Sequence, residues 1–225
     1  MTLIEAIKAR HSIRAYTQQP IEPEKVAALR QLIDQCNTEG RLNIQLVTNE
    51  PHAFGKSLLA HYGKFSNVSN YLVLAGQRAD DLDERIGYYG ELLVLEAERM
   101  GLNTCWVALT FKKIASAFTL NQDDALRCVI SIGYGAKEGA NHKIKRPDQV
   151  SNLTPDSPDW FRRGVAAALL APTAINQQKF QLTLLPDNIV EARAKWGPYS
   201  KIDLGIVKYH FEVGAGVENF HWKDQ

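Results

Sequence analysis

A chain of 225 residues, 45% hydrophobic and 23% charged, has an ordinary globular composition, with room for one sizeable domain or two small intimate ones. Its formal net charge of +1 offers no field for nucleic acid or an anionic membrane. No apolar run is long enough to span a bilayer, and the N-terminus lacks the order of a secretory signal. The three cysteines, Cys36, Cys105 and Cys128, form no CxxC pair and no zinc-type set with histidine. These features predict a cytoplasmic protein with no metal and with neither membrane nor nucleic acid as partner.

Thr2-Leu3-Ile4-Glu5 reads as a capping box, opening a helix that ends between Lys8 and Arg10. Pro20 and Pro23 punctuate a loop. Pro23 starts a second helix with Val26, Leu29, Ile33 and Cys36 on one face, and Gly40 marks its exit. Asn43–Thr48 alternates as a strand with Ile44 and Leu46 inward, and Tyr71–Ala75 reads as a buried strand. From Asp80 to Met100 the apolar residues Leu82, Ile86, Tyr89, Leu93, Ala97 and Met100 keep helical spacing. Leu92, Val94 and Leu95 widen that stripe until the helix is apolar nearly all round, as in a core or interface helix. Gly101 is its C-cap, and Thr104–Thr110 and Arg127–Ile132 are further strands.

Residues 136–159 are polar and carry Pro147, Pro155 and Pro158, so the boundary inside the chain falls there, between parts 1–147 and 159–225. Beyond it the spacing predicts a helix Trp160–Ala171, a strand Phe180–Leu185, a short helix Asp187–Trp196 and a long helix Ile202–Gly214. This order repeats that of the first part. Ile86, Leu93 and Ala97 lie over Ile202, Tyr209 and Val213 at the same spacing, which reads as an internal duplication.

Three stretches carry candidate chemistry. Arg10-His11-Ser12-Ile13-Arg14 places two permanent guanidinium charges and a hydroxyl within five residues, a set suited to a phosphate and equally to surface charges beside a helix end. Lys143-Ile144-Lys145-Arg146-Pro147 is a second basic cluster. Pro172-Thr173-Ala174-Ile175-Asn176-Gln177-Gln178 is a polar loop whose Asn176 and Gln178 amides both donate and accept, suiting a heterocycle edge and a plain helix-exit loop alike. Gly133-Tyr134-Gly135 is followed by a polar loop and not a helix, so no dinucleotide fingerprint is present. No GxSxG elbow or catalytic carboxylate pair is visible either.

Leu3–Tyr16, with its Arg-x-Ser-x-Arg, resembles the start of the FMN-dependent nitroreductases. Gly101-Leu102-Asn103-Thr104-Cys105-Trp106-Val107 is similar to that family's stretch after its central helix. Val129–Tyr134 with Lys143–Pro147 resembles its last core strand and basic tail, and Pro172–Phe180 its Pro-Ser-x-x-Asn-x-Gln loop. The order departs from the family. The loop motif stands in the second part, while Cys36–Arg41, where it would be expected, fits poorly, and Lys179 replaces the usual proline. A subgroup with two nitroreductase-like halves in one chain has this arrangement.

The resemblance implies an α+β, nitroreductase-like fold: a mixed, mostly antiparallel sheet with helices around a long central helix, internally duplicated as a pseudo-dimer. It implies one FMN per chain, in a monomer resembling the family's dimer, with further homo-oligomerisation left open. Residues implied for cofactor binding are Arg10, Ser12, Arg14, Lys143 and Lys145 for phosphate or ring; His11 within the same motif, read as structural; Val107, Ala108 and Leu109 through their backbone near flavin N5; Pro172, Thr173, Ala174, Asn176 and Gln178 at the ring; and Lys64 at its pyrimidine. No side chain is implied as catalytic, because the flavin carries the hydride. The implied activity is reduction of nitroaromatics, quinones or similar small acceptors by NADH or NADPH in a ping-pong cycle. The alternative is a degenerate member of the fold that holds flavin or another ligand without turnover, as sensor, store or scaffold.

Overall fold

In the computed structural model, residues 1–54 and 65–223 are described. They fall into two compact units. One comprises Met1–Lys8, Asp83–Leu92 and His142–Gln225; the other comprises Ala9–Leu82 and Leu93–Asn141. We call them the first and second unit. The fold is α+β, and among the described residues no helix is long and apolar enough to cross a membrane.

The predicted capping box opens α1 (Leu3–Ala9): the Thr2 N–H donates to Glu5 Oε2 at 2.7 Å and the Glu5 N–H to Thr2 Oγ1 at 3.2 Å. In the second unit, α2 (Pro23–Gly40) begins on its proline and buries Leu29, Ile33 and Cys36 as its periodicity requires. Arg41, not Gly40, takes the left-handed conformation that ends it (φ 49°), and its N–H closes on the Asn37 carbonyl.

The sheet of the second unit is β1 (Gln45–Val47), β2 (Tyr71–Gln77), β3 (Asn103–Val107) and β4 (Asp124–Gly133), in the order β1-β2-β4-β3, antiparallel throughout. As predicted from its unbroken apolar run, β2 is buried from Tyr71 to Gly76. Two expectations are corrected here. The strand read as Thr104–Thr110 stops at Val107, where residues 108–110 bend away, and β4 starts three residues before Arg127, with an irregularity opposite Leu74 and Ala75. Between β2 and β3 runs α3 (Leu82–Arg99), of which 83–92 belong to the first unit and 93–99 to the second. Gly101 at φ +75° follows its last turn, as the sequence suggests.

The first unit also holds α4 (Asp159–Ala168), β5 (Phe180–Leu184), β6 (Ile189–Ala194), α5 (Ser200–Ala215) and β7 (His221–Trp222). β5 pairs antiparallel with β6, and β6 parallel with β7. The expected helix at 187–196 is the strand β6. Asp187 (φ 60°) and Asn188 (φ 56°) take left-handed backbone, which short polar side chains tolerate, and turn β5 back on itself. The helix-favouring Ala, Glu and Arg of β6 yield to this pairing.

Within the first unit α3 and α5 cross at two glycines. A Cβ on Gly87 would lie 2.0 Å from the Ile202 carbonyl oxygen, and one on Gly205 would lie 1.9 Å from the Glu84 carbonyl oxygen. Ile202 stands three residues before Gly205, and Glu84 three before Gly87, so the contact is reciprocal, as across a two-fold axis. Around it, Lys208 Nζ meets Glu84 Oε1 at 2.6 Å, the Tyr88 hydroxyl donates to Glu212 at 2.5 Å, and the Tyr88 and Tyr209 rings meet edge to face. Nearby, fully buried His210 joins Glu91 Oε1 (2.8 Å) and the Ala167 carbonyl of α4 (3.1 Å).

Candidate functional site

In the second unit the chain leaves α1 and runs extended beside β3. Ser12 bridges Thr104 in parallel fashion, the Ile13 N–H donates to the Thr104 carbonyl at 3.0 Å, and residues 14–16 exchange backbone hydrogen bonds with Ser66. Extended backbone turns alternate side chains to alternate faces. Ile13 is buried and packs with Tyr16 and Val68. Ser12 and Arg14, two residues apart, share a neighbour with Arg10: the Cys105 thiol, to which Ser12 hydrogen-bonds and over which both guanidinium charges act. Burial dominates that thiol and holds its pKa up despite the two cations, so Cys105 is no reactive thiolate. Arg10 is 6% exposed whereas Arg14 is exposed, so Arg14 is the guanidinium presented outward.

His11 has other work. Its Nδ1 donates to the Ala9 carbonyl at 2.7 Å and its Nε2 meets Asn141 Oδ1 at 3.0 Å, while a Cβ on Gly139 would fall 2.1 Å from its own Cβ. Val107 ends β3 in a core cluster with Val73 and Val129; Ala108 and Leu109 lie in the bend beyond it, Leu109 exposed. Lys64 lies outside the described residues.

In the first unit, the basic tail and the polar loop are brought together. Lys145 Nζ donates to the Gln177 and Gln178 carbonyls, both at 2.9 Å, and the Lys145 N–H donates to Gln178 Oε1 at 2.8 Å. The Lys143 carbonyl accepts from Asn176 Nδ2 and Gln178 Nε2, both at 2.8 Å, and Gln178 Nε2 also reaches Asn176 Oδ1. The two amides therefore fix the loop to the tail; Asn176 is exposed and keeps capacity for a further bond, whereas Gln178 is buried with both amide hydrogens spent. Burial, with Lys195 and Lys179 nearby, holds the Lys145 ammonium below the usual lysine range.

The loop itself is tightly turned. Ile175 (φ 48°), Asn176 (φ 55°) and Gln178 (φ 45°) all lie in the left-handed region. For a β-branched residue such as Ile175 this is a strained conformation. Thr173 Oγ1 accepts from the Gln178 N–H at 3.0 Å, and Pro172 and Ala174 are half-buried at the loop's start. A residue the sequence reading did not single out anchors it. Asp203, 4% exposed in the first turn of α5, accepts from the Ala174 N–H (2.9 Å) through one carboxylate oxygen and from Gln177 Nε2 (2.7 Å) through the other. Burial pushes its carboxyl up to about 6 against the pull of those two donors. Twenty-nine residues separate Asp203 from Ala174, and no local pattern connects them. Among the described residues no group of His, Cys, Asp or Glu could hold a metal ion.

A family model described as "Putative TM nitroreductase" matches residues 2–215. The chain belongs to this nitroreductase family. Among solved structures, one described as a "putative nitroreductase" from Thermotoga maritima is 22% identical, with a TM-score of 0.63, over 95% of this chain and 83% of its own. A "putative nitroreductase" in complex with FMN from Desulfovibrio desulfuricans is 14% identical, with a TM-score of 0.51, over 69% of this chain and 98% of its own. A "putative NADH oxidase" from Clostridium acetobutylicum is 18% identical, with a TM-score of 0.52, over 68% and 99%. These likenesses establish the nitroreductase fold. No curated protein matches the chain.

Proposed function

We propose that this member of the nitroreductase family binds FMN and uses it to pass reducing equivalents from NADH or NADPH to small acceptors such as nitroaromatics or quinones. The observation that carries the reading is the family match over residues 2–215, in a chain whose Arg-x-Ser-x-Arg segment sets Ser12 on the Cys105 thiol within the field of both Arg10 and Arg14. The donor set fits the cofactor. A phosphate dianion calls for guanidinium, hydroxyl and N–H donors, which that segment supplies; the half-buried Glu98 carboxyl interacts with Arg10, which leaves Arg14 as the less encumbered guanidinium. Arg14 would hold the anionic group from outside and Arg10 from its buried position, with Ser12 donating between them. The Lys143–Lys145 tail and the Thr173–Gln178 loop offer further N–H donors and leftover amide capacity for a polar ring edge.

When bound, FMN supplies the hydride acceptor and donor, and the chain's side chains bind and orient. We also read the chain as internally duplicated. The order helix–strand–strand–helix recurs in α2-β1-β2-α3 and α4-β5-β6-α5, with both strand pairs antiparallel. The reciprocal Gly87–Gly205 contact supports this, and it aligns the two long helices at that glycine pair, two residues away from the Ile86–Ile202 register. Three buried, free cysteines agree with a reducing cytoplasm.

Titration of the purified chain with FMN, followed by flavin fluorescence, tests the reading, with saturation expected at one FMN per chain. Steady-state oxidation of NADH and NADPH with a quinone acceptor should then give the parallel double-reciprocal lines of a ping-pong cycle, and Arg14→Ala should weaken FMN binding. Absence of FMN binding would refute it. One observation favours the second reading, a degenerate member of the fold: Asn176, Gln178 and Lys145 already spend bonds within the loop and tail that a flavin would otherwise receive. FMN binding without bleaching by either nicotinamide would select that reading.

A further inference from the structure

The Thr173–Gln178 loop raises a physical question that its sequence does not answer: what keeps a β-branched residue in left-handed backbone on the surface? Ile175 is 68% exposed, so packing does not hold it there. The backbone bonds inside the loop are short-range: Asn176 N–H to the Thr173 carbonyl (2.9 Å) and Gln177 N–H to the Ala174 carbonyl (3.0 Å). Strained backbone persists where the surroundings over-determine it. Here the over-determination comes from two sides: Lys145 and the Lys143 carbonyl hold residues 176–178 from the tail, and a single carboxylate holds the residues that flank Ile175 from α5. Asp203 grips the residue before Ile175 by the Ala174 N–H and the residue two beyond it by the Gln177 side chain, one oxygen for each. Gln177 Nε2 also donates to the Pro198 carbonyl at 2.7 Å, tying the loop to the segment that leads into α5.

We propose that Asp203 is the positioning residue of the flavin-binding loop: its ionised carboxylate holds Thr173–Gln178 in the shape that presents Thr173 and Asn176 to the cofactor, with Gln178 buried behind them as part of the loop's own framework. This rests on the FMN reading above. A charged acceptor is suited to the role, because hydrogen bonds to an ionised group are roughly twice as strong as neutral ones. A protonated carboxyl offers one good acceptor oxygen, and the clamp then slackens. Burial, the Gln177 amide and the Ala174 N–H set the ionisation of Asp203. The charged groups on the loop's other side, Lys145, Lys179 and Lys195, act on one another.

The test measures FMN affinity of the full chain between pH 5 and 8, alongside the amide resonance of Ala174, which reports the clamp without flavin. In the wild-type chain, affinity should fall as the pH drops through about 6, and the Ala174 amide should move with the same midpoint. Asp203→Asn should bind FMN about tenfold more weakly at pH 7.5, the loss of one charge-assisted hydrogen bond, and should keep only the pH dependence that the FMN phosphate itself brings near pH 6, so its profile is shallower than that of the wild type. Gln177→Leu is the second variant. It removes a donor that favours the ionised form, so the midpoint should move above that of the wild type, which a merely structural role would not produce. The proposal is overturned if Asp203→Asn keeps wild-type affinity and pH profile, or if Gln177→Leu leaves the midpoint in place. A wild-type chain that titrates at Ala174 but binds no FMN at any pH sinks the flavin reading itself, a different failure, and the positioning role with it.

Discussion

Replacing Gly205 with alanine puts a methyl group where α3 and α5 allow none. The new Cβ would stand 1.9 Å from the Glu84 carbonyl oxygen and 2.6 Å from the Tyr88 nitrogen. Both obstacles are backbone inside a helix, so no rotamer change relieves them, and the helices must part by more than an ångström to restore ordinary contact. Parting loosens the Lys208–Glu84 and Tyr88–Glu212 bonds and the Tyr88–Tyr209 ring contact. Overpacking costs about 1–3 kcal/mol where side chains can give way and about 3–4 kcal/mol here, where helix backbone itself must shift, while alanine's better helix propensity returns about 1 kcal/mol. A net loss of about 2–3 kcal/mol corresponds to a melting temperature lower by roughly 4–12 °C for a chain of this size. Thermal unfolding by circular dichroism measures it. Gly101→Ala is the control, since that glycine has open space around its Cβ position and pays only for its φ of +75°. The double variant of Gly87 and Gly205 should cost less than the sum of its parts, because helices already parted accept the second methyl more easily. An unchanged or raised melting temperature for Gly205→Ala would refute the close crossing.

Other consequences are equally open to measurement. Glu91→Ala leaves the buried His210 without its hydrogen-bond partner and should cost about 1–3 kcal/mol in urea unfolding; an unchanged stability would count against that bond. Ile175→Asn places a residue that tolerates left-handed backbone on an exposed site and should stabilise the chain by about 1 kcal/mol, whereas Ile175→Val should not. Asp203 has its carboxyl raised from 3.8 to about 6, so the folded chain binds that proton more tightly than the unfolded one. Its contribution to stability is then fully present below about pH 4 and is lost as the pH rises through about 6, a swing on the order of 3 kcal/mol. Subtracting the unfolding profile of Asp203→Asn from that of the wild type should reveal this slope, opposite in sign to the slope expected for FMN affinity.

Most helices were legible because each satisfies its own local rules. Thr2 and Glu5 cap each other in sequence as in space, and Leu29, Ile33 and Cys36 are buried on the face their spacing defines. The strand β6 was not, since Ala192, Arg193 and Ala194 favour a helix by composition; the signals against one were the Asp187-Asn188 turn and the alternation of Val190, Ala192 and Ala194. The family motifs identified the chemistry by residue type. What they could not tell was the partners: that Asn176 and Gln178 spend bonds on the Lys143 carbonyl, or that Ser12 bonds to Cys105 within the field of both arginines. Asp203 was hidden for the same reason, because a carboxylate in a helix looks like any surface charge until the fold buries it.

The extended run of residues 12–16 has a second consequence, for solubility. On one side β3 is paired with β4, and on the other its neighbour is the Arg-x-Ser-x-Arg segment, through the Ser12–Thr104 bridge and the Ile13 N–H. Without that segment, β3 would offer a bare edge, with Cys105 and Val107 on a strand free to recruit another chain. Removing the first sixteen residues should therefore yield a protein that aggregates through its own sheet, so the stretch best suited to grip a phosphate also guards the fold against self-association.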